Sequence, residues 1–196
     1  MCIRDSGLVL DIAAGGSGTG PKILGDNIIA LDISKEEIAE AIRNEAYAQW
    51  VCADARKLPF KNNSFDLIVC SEVLTHLHEY KRPLAEFKRV LSSDGIIIID
   101  IRNILYPMHF IRKYILPKTE IDKDHRYNPD ITHIFKIVKT CKEINLKIDG
   151  FRGVGLSVIR FINKESEKRI TIEKSRSNTI LKYIAPTLII KIKRRD

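Results

Sequence analysis

Short, nearly unbroken apolar runs recur through the first half of the chain: LVLDI (8–12), NIIALDI (27–33), AQWVCAD (48–54), FDLIVCS (65–71) and GIIIIDI (95–101). Their lack of polar alternation predicts strands covered on both faces, as in a parallel sheet. Segments of helical period lie between them. SKEEIAEAIRN opens on Ser34 as the expected N-cap with Glu37 three residues on, a reciprocal capping pair, and sets Ile38 and Ile42 on one face. KRPLAEFKRVLSSDG aligns Leu84, Phe87, Val90 and Leu91 on one stripe and is expected to stop at Gly95. Such a series predicts right-handed crossovers in a doubly wound sheet, with its ligand crevice at the carboxyl ends of the strands.

The rhythm changes after residue 101. Residues 102–130 hold aromatics, three prolines and a charged middle, and a connection of this length is read as a substrate-side insertion. DITHIFKIVKTCKEINLKIDGF then predicts a helix capped by Asp130, with Ile134, Phe135, Val138 and Ile144 as its apolar positions. A basic helix-and-loop excursion follows, and then a strand at about 187–193. With no internal repeat and no second boundary, 1–196 reads as one α/β domain: 7–101 a cofactor-binding half, 102–130 the insertion, 131–196 a C-terminal half.

Composition narrows the class. The apolar fraction of 44% and charged fraction of 30% are those of a soluble globular protein. Residues 1–150 carry 21 basic and 21 acidic residues and residues 151–196 carry 12 and 4, so the whole net charge of +8 falls in the last quarter. Such a quarter could meet nucleic acid or an anionic membrane surface, or form a solvated basic face, the reading favoured here. Cys2, Cys52, Cys70 and Cys141 are scattered, with no C-x-x-C and no histidines at metal-ligand spacing. Reduced thiols, no metal and a cytoplasmic location are expected, since no signal-type region or long apolar stretch is present.

The chemistry concentrates where strands end. DIAAGGSGTG follows the first strand, and a glycine-rich turn there leaves backbone N–H groups facing outwards to hold an adenosine-containing cofactor. It has neither the dinucleotide G-x-G-x-x-G spacing nor the Lys-Ser/Thr of a P-loop. Asp32 closes the second strand 21 residues after Asp11, near the spacing at which an acid meets ribose hydroxyls.

From LVLDIAAG through CADARKLPFKNNSFDLIVCSEVLTHL to GIIIIDI, about half the chain, the sequence resembles class I S-adenosylmethionine-dependent methyltransferases of the small-molecule, type 11 kind. The resemblance implies a Rossmann-like sheet of order 3-2-1-4-5-7-6, mostly parallel with a C-terminal antiparallel strand, and S-adenosyl-L-methionine as cofactor. It implies that Asp11, Ala13 and Gly15 hold the methionine end, Asp32 with Ile33 the ribose, and Asp54 with Ala55 the adenine. Ser71 opens SEVLTHL, which by resemblance passes beside the sulfonium.

Two departures stand out. Ala13 occupies the first glycine slot and Ser17 the third, and alanine fits there if its φ is negative. Only about seven residues precede the first strand, and MCIRDS reads as translated adapter sequence, so residues 1–6 are expected to be non-native and the family's N-terminal helices truncated.

Methyl transfer from a sulfonium needs chiefly positioning, and a general base only when the acceptor must lose a proton. His76 in VLTHLHEY and His125 in DKDHRYNPDI are the candidates. No Asn/Asp-Pro-Pro-aromatic motif stands where SEVL does, which disfavours exocyclic base amines. A hydroxyl of a sugar, lipid or aromatic metabolite is the expected acceptor. The alternatives are a dinucleotide-dependent oxidoreductase and a cofactor-binding module without turnover.

Overall fold

In the computed structural model, residues 7–16, 27–44, 46, 48–71, 73–74, 79–102, 134–154 and 187–195 are described. In chain order these form β1 (Val9–Ile12), β2 (Ile28–Asp32), α1 (Lys35–Arg43), β3 (Gln49–Cys52), β4 (Phe65–Cys70), α2 (Lys81–Val90), β5 (Leu91–Arg102), α3 (Ile134–Glu143), β6 (Leu146–Val154) and β7 (Thr187–Arg194). They build one seven-stranded sheet of order β3-β2-β1-β4-β5-β7-β6. β1 to β5 pair in parallel, while β7 runs antiparallel to both β5 and β6. This is the Rossmann-like sheet that the resemblance implied.

The two faces of the sheet differ. On one, Leu10, Ile12, Ile68, Cys70, Ile97 and Ile99 pack with Leu84, Phe87 and Val90 of α2 and with Ile137 and Cys141 of α3. On the other, Val9, Ile28 and Leu67 form a smaller cluster with half-buried Ala48, Val69, Ile96 and Ile98. Alternation at a period of two allots each strand residue to one of these faces.

Three expectations about helices are corrected. Helix α2 ends at Val90 rather than running to Gly95, and β5 begins at Leu91 with no intervening turn. A Cβ on Gly95 would lie 2.7 Å from the Leu91 side chain, so this glycine marks a close approach inside the strand rather than a stop. On α1 the buried residue is Ala41, and Ile42 is exposed. On α3 the expected Ile134, and Ile144 just beyond it, do pack against the core, but Ile137 and Cys141 are the buried residues between them and Phe135 is exposed. Asp130, its expected cap, lies outside the described residues. β6 was hidden in the sequence by its Asp and Gly residues.

An arginine braces the segment between β3 and β4. Arg89 of α2 donates from Nη1 to the Phe60 carbonyl (2.7 Å) and the Asn62 side chain, and from Nη2 to the Leu58 carbonyl (2.9 Å). It also grips Glu86, whose Oε2 accepts the Leu58 N–H at 2.8 Å. Four polar groups of the 58–62 segment are thereby satisfied from one turn of helix. Arg89→Ala strands two carbonyls and is expected to lower stability by roughly 2–3 kcal/mol. An unchanged urea midpoint with an unchanged slope would show that the brace is dispensable.

Candidate functional site

Four adjacent strands end in polar residues that share one face. Asp11 stands two residues beyond Val9 on β1, Asp32 four beyond Ile28 on β2, and Asp100 two beyond Ile98 on β5. Ser71, just past β4, is two beyond Val69. Even spacing from residues of the smaller cluster directs all four to that side of the sheet, at the carboxyl edge where parallel sheets bind ligands. Neighbouring strands lie about 4.8 Å apart, so the row spans roughly 14 Å from β2 to β5.

Asp11 and Asp32 are the buried charged residues among those described, 4% and 6% exposed. Asp32 is clamped by backbone: its Oδ2 accepts the Gly15 N–H at 3.1 Å and its Oδ1 the Ser34 N–H at 2.9 Å. Asp11 is less well compensated. Burial first, and then the charge of Asp32, push its carboxyl up to about 6. A pair of desolvated acids at adjoining strand ends is a seat for a cation, and S-adenosylmethionine brings two, an ammonium and a sulfonium. The donor set fits that group.

The glycine turn is held from both sides: the Ala14, Gly15 and Gly16 N–H groups donate to the Leu31 carbonyl, Asp32 and Glu37, so these three do not face outwards as expected but bond within the protein. Gly15 has φ 64° and Ala13 has φ 54°, both in the left-handed region. The condition under which alanine fits, a negative φ, is not met: the chain turns off β1 through a conformation suited to glycine, and alanine carries the strain. Gly16 donates to Glu37 Oε2, and its carbonyl accepts from Asn44 Nδ2 at 3.1 Å, so both ends of α1 grip it. Glu37 therefore does not complete the reciprocal capping pair. Ser34 Oγ does accept the Glu37 N–H at 3.1 Å, while the Ser34 N–H goes to Asp32. The capping motif was legible in the sequence; its diversion to the turn was not.

At the far end of the edge, Asp54 follows β3. The Arg56 side chain reaches both of its oxygens at 2.7–3.0 Å, and the Arg56 N–H adds a further bond at 2.8 Å. These bonds hold the Asp54 carboxyl below the usual carboxylate range. Ala55, beside it, is half-buried. Ile33 is 64% exposed next to Asp32, and its carbonyl accepts the Cys52 thiol. At the other end Ser71 Oγ donates to Asp100 Oδ2 at 3.1 Å. Asp100 was missed in the sequence, although GIIIIDI places it two residues beyond Ile98. His76 and His125 lie outside the described residues. The residues brought to one edge are thus Asp11, Ala13, Gly15, Asp32, Ile33, Asp54, Ala55 and Ser71. Among the described residues no cluster of His, Cys, Asp or Glu has metal-holding geometry.

The sheet order and the solved structures it resembles give this chain the fold of class I S-adenosylmethionine-dependent methyltransferases. Residues 10–99 match the family described as a methyltransferase domain. Over 114 residues the chain is 42% identical to an uncharacterized protein of Methanocaldococcus jannaschii, covering 58% of this chain and 44% of that one. Over 94 residues it is 35% identical to the demethylmenaquinone methyltransferase of Renibacterium salmoninarum, covering 46% and 39%. The chain thus spans less than half the length of either relative. A solved S-adenosylmethionine-dependent methyltransferase from Mesorhizobium loti superposes with a TM-score of 0.65 at 14% identity, over 99% of this chain and 94% of that one. The dinucleotide-dependent alternative is not favoured by these matches.

Two outcomes follow from the edge. A carboxyl raised in the fold holds its proton more tightly than in the unfolded chain, so Asp11 costs stability as pH rises from about 4 to about 6 and thereafter. Asp11→Asn is expected to stabilise the ligand-free protein by about 3 kcal/mol at pH 7 and by little at pH 4, read from denaturant midpoints at both values. Ala13→Gly relieves the left-handed strain against a more flexible unfolded chain, for a net gain of about 0.5–1 kcal/mol. A lower melting temperature for that variant would count against strain at the turn.

Proposed function

We propose that this domain transfers the methyl group of S-adenosylmethionine to a small-molecule acceptor, and that the methylated atom is a hydroxyl oxygen of a sugar, lipid or aromatic metabolite. The observation that carries the reading is the row of edge residues with the under-compensated Asp11 at its centre. When bound, the cofactor supplies an electrophilic methyl for in-line displacement, so the protein's task is orientation more than activation.

In this reading Asp32 takes the two ribose hydroxyls. It sits at the end of β2 with its carboxylate already aimed by two backbone N–H groups. Hydrogen bonds to a charged acceptor contribute roughly 1.5–3 kcal/mol each. Asp11 and the turn through Ala13 and Gly15 face the methionine end. Ile33 lies against the ribose. Asp54 and Ala55 meet the adenine, on a segment that Arg89 fixes to α2. His76 and His125 are the proposed proton acceptors for a hydroxyl substrate.

The basic last quarter lends little support to a nucleic-acid or membrane acceptor where it is described. Lys191 and Lys193 both pair with Asp149, at 2.8 and 3.2 Å, and Arg194 donates to backbone and to Asn63. These side chains tie the antiparallel strands together. Among the described residues no helix is long and apolar enough to cross a membrane.

Isothermal titration with S-adenosylhomocysteine is expected to show saturable binding that Asp32→Ala weakens about tenfold or more. Unchanged affinity in that variant removes the assignment. Incubation with methyl-labelled cofactor and a metabolite extract is expected to place label in the small-molecule fraction. Label in added RNA or lipid vesicles instead would overturn the acceptor class.

A further inference from the structure

Helix α1 turns polar side chains inwards. Ala41 is its buried residue, and Glu37, Glu40 and Asn44 share a face with it, since positions three, four and seven apart align along a helix. Such a stripe ordinarily packs apolar groups on the sheet; here it meets the turn after β1. Glu37 Oε2 accepts the Gly16 N–H, and Asn44 Nδ2 donates to the Gly16 carbonyl at 3.1 Å, so both main-chain groups of Gly16 are taken by α1. Glu40 closes on the same residue, where a Cβ would lie 2.9 Å from its Cδ. Glu37 is free for this role because Asp32 accepts the Ser34 N–H, to which a glutamate at the third helical position ordinarily returns.

The turn needs such a hold. Ala13 and Gly15 both have left-handed backbone, at φ 54° and 64°, and an alanine stays there only where its surroundings over-determine it. The Ala14 N–H to the Leu31 carbonyl and the Gly15 N–H to Asp32 fasten the turn to the end of β2. Beyond Gly15, the bonds that fasten it come from α1. We propose that Glu37 and Asn44 are positioning residues for the cofactor: they hold the turn in the left-handed form that receives it, acting through Gly16 and not through contact with the ligand. This inference rests on the function proposed above, which assigns that turn to the methionine end.

The hold acts on affinity through population. A ligand whose site is competent only part of the time binds more weakly by that fraction. Loss of one such hydrogen bond is enough to lower the fraction about fivefold to tenfold. What Gly16 requires of residue 37 is an acceptor oxygen, which glutamine supplies as glutamate does and alanine does not. Glycine at position 13 adopts a positive φ without strain, so with Ala13→Gly the turn depends less on α1. Two changes that act on one turn are therefore coupled, whereas a simple loss of helix stability would add independently to the effect of Ala13→Gly.

Isothermal titration of the full chain with S-adenosylhomocysteine tests this without acceptor or turnover, and thermal melting checks that each variant is folded. Glu37→Ala is expected to weaken binding about fivefold to tenfold, and Glu37→Gln to stay within about twofold of the unaltered chain. Asn44→Ala should weaken it about twofold to fivefold, and it carries the test if Glu37→Ala does not fold. In an Ala13→Gly background the loss from either alanine substitution should shrink to about twofold or less. An equal loss in Glu37→Gln and Glu37→Ala, a loss undiminished by Ala13→Gly, or an unchanged affinity in the folded alanine variants overturns the proposal while the cofactor assignment stands. Failure of the unaltered chain to bind the ligand overturns the cofactor assignment and this inference together.

Discussion

Two carboxylates that cannot reach bulk water sit on neighbouring strands, and much of the surrounding structure answers to them. Asp32 is neutralised in part by two backbone N–H groups, one from the turn after β1 and one from the start of α1. That arrangement forces the turn to double back over β2 and forces α1 to begin immediately after it. Asp11 receives less compensation, and its raised proton affinity is the residue of an electrostatic problem that the fold leaves to a ligand. Stability is given up at Asp11, a pattern expected of a site and not of a core.

The turn has a similar character. Left-handed backbone at Ala13 and Gly15 aims successive N–H groups inwards, and α1 holds Gly16 from Glu37 and Asn44. Helix α1 is attached to the cofactor turn as much as to the sheet. Its amphipathic face is correspondingly modest, with Ala41 buried and Ile42 in solvent.

How much of this was legible follows from where each signal lies. The buried strands declared themselves because both faces are apolar, and the acids that end them stood out against those runs. Asp32 could be singled out by its spacing from Asp11, and Asp54 by the resemblance to a known family. The sign of φ at Ala13 could not, since it depends on how the turn meets α1. β6 escaped notice because an edge strand paired only with β7 tolerates Asp149 and Gly150 in its middle. The boundary between α2 and β5 was misread at Gly95 because a glycine that ends a helix and one that admits a neighbouring leucine look alike in one dimension. Asp100 was passed over as the tail of a strand, since only the register with β4 brings it beside Ser71. The burial of Ile137 and Cys141 in place of Phe135 reflects packing against α2 and β6, which local periodicity cannot foresee.

Arg194 reaches from the last strand to the carbonyls of Lys88 and Leu91 and to the side chain of Asn63, 131 positions earlier in the chain. The same junction receives Arg89, so the segment between β3 and β4 is locked at one end by a helix and at the other by β7. β7 also inserts between β5 and β6, two strands already made when it emerges. On a ribosome this means that the sheet stands open at β5 until β7 has emerged. The carboxyl edge of β1 to β5 can form early; closure of the sheet waits for β7, and contacts of such long range are slow to find.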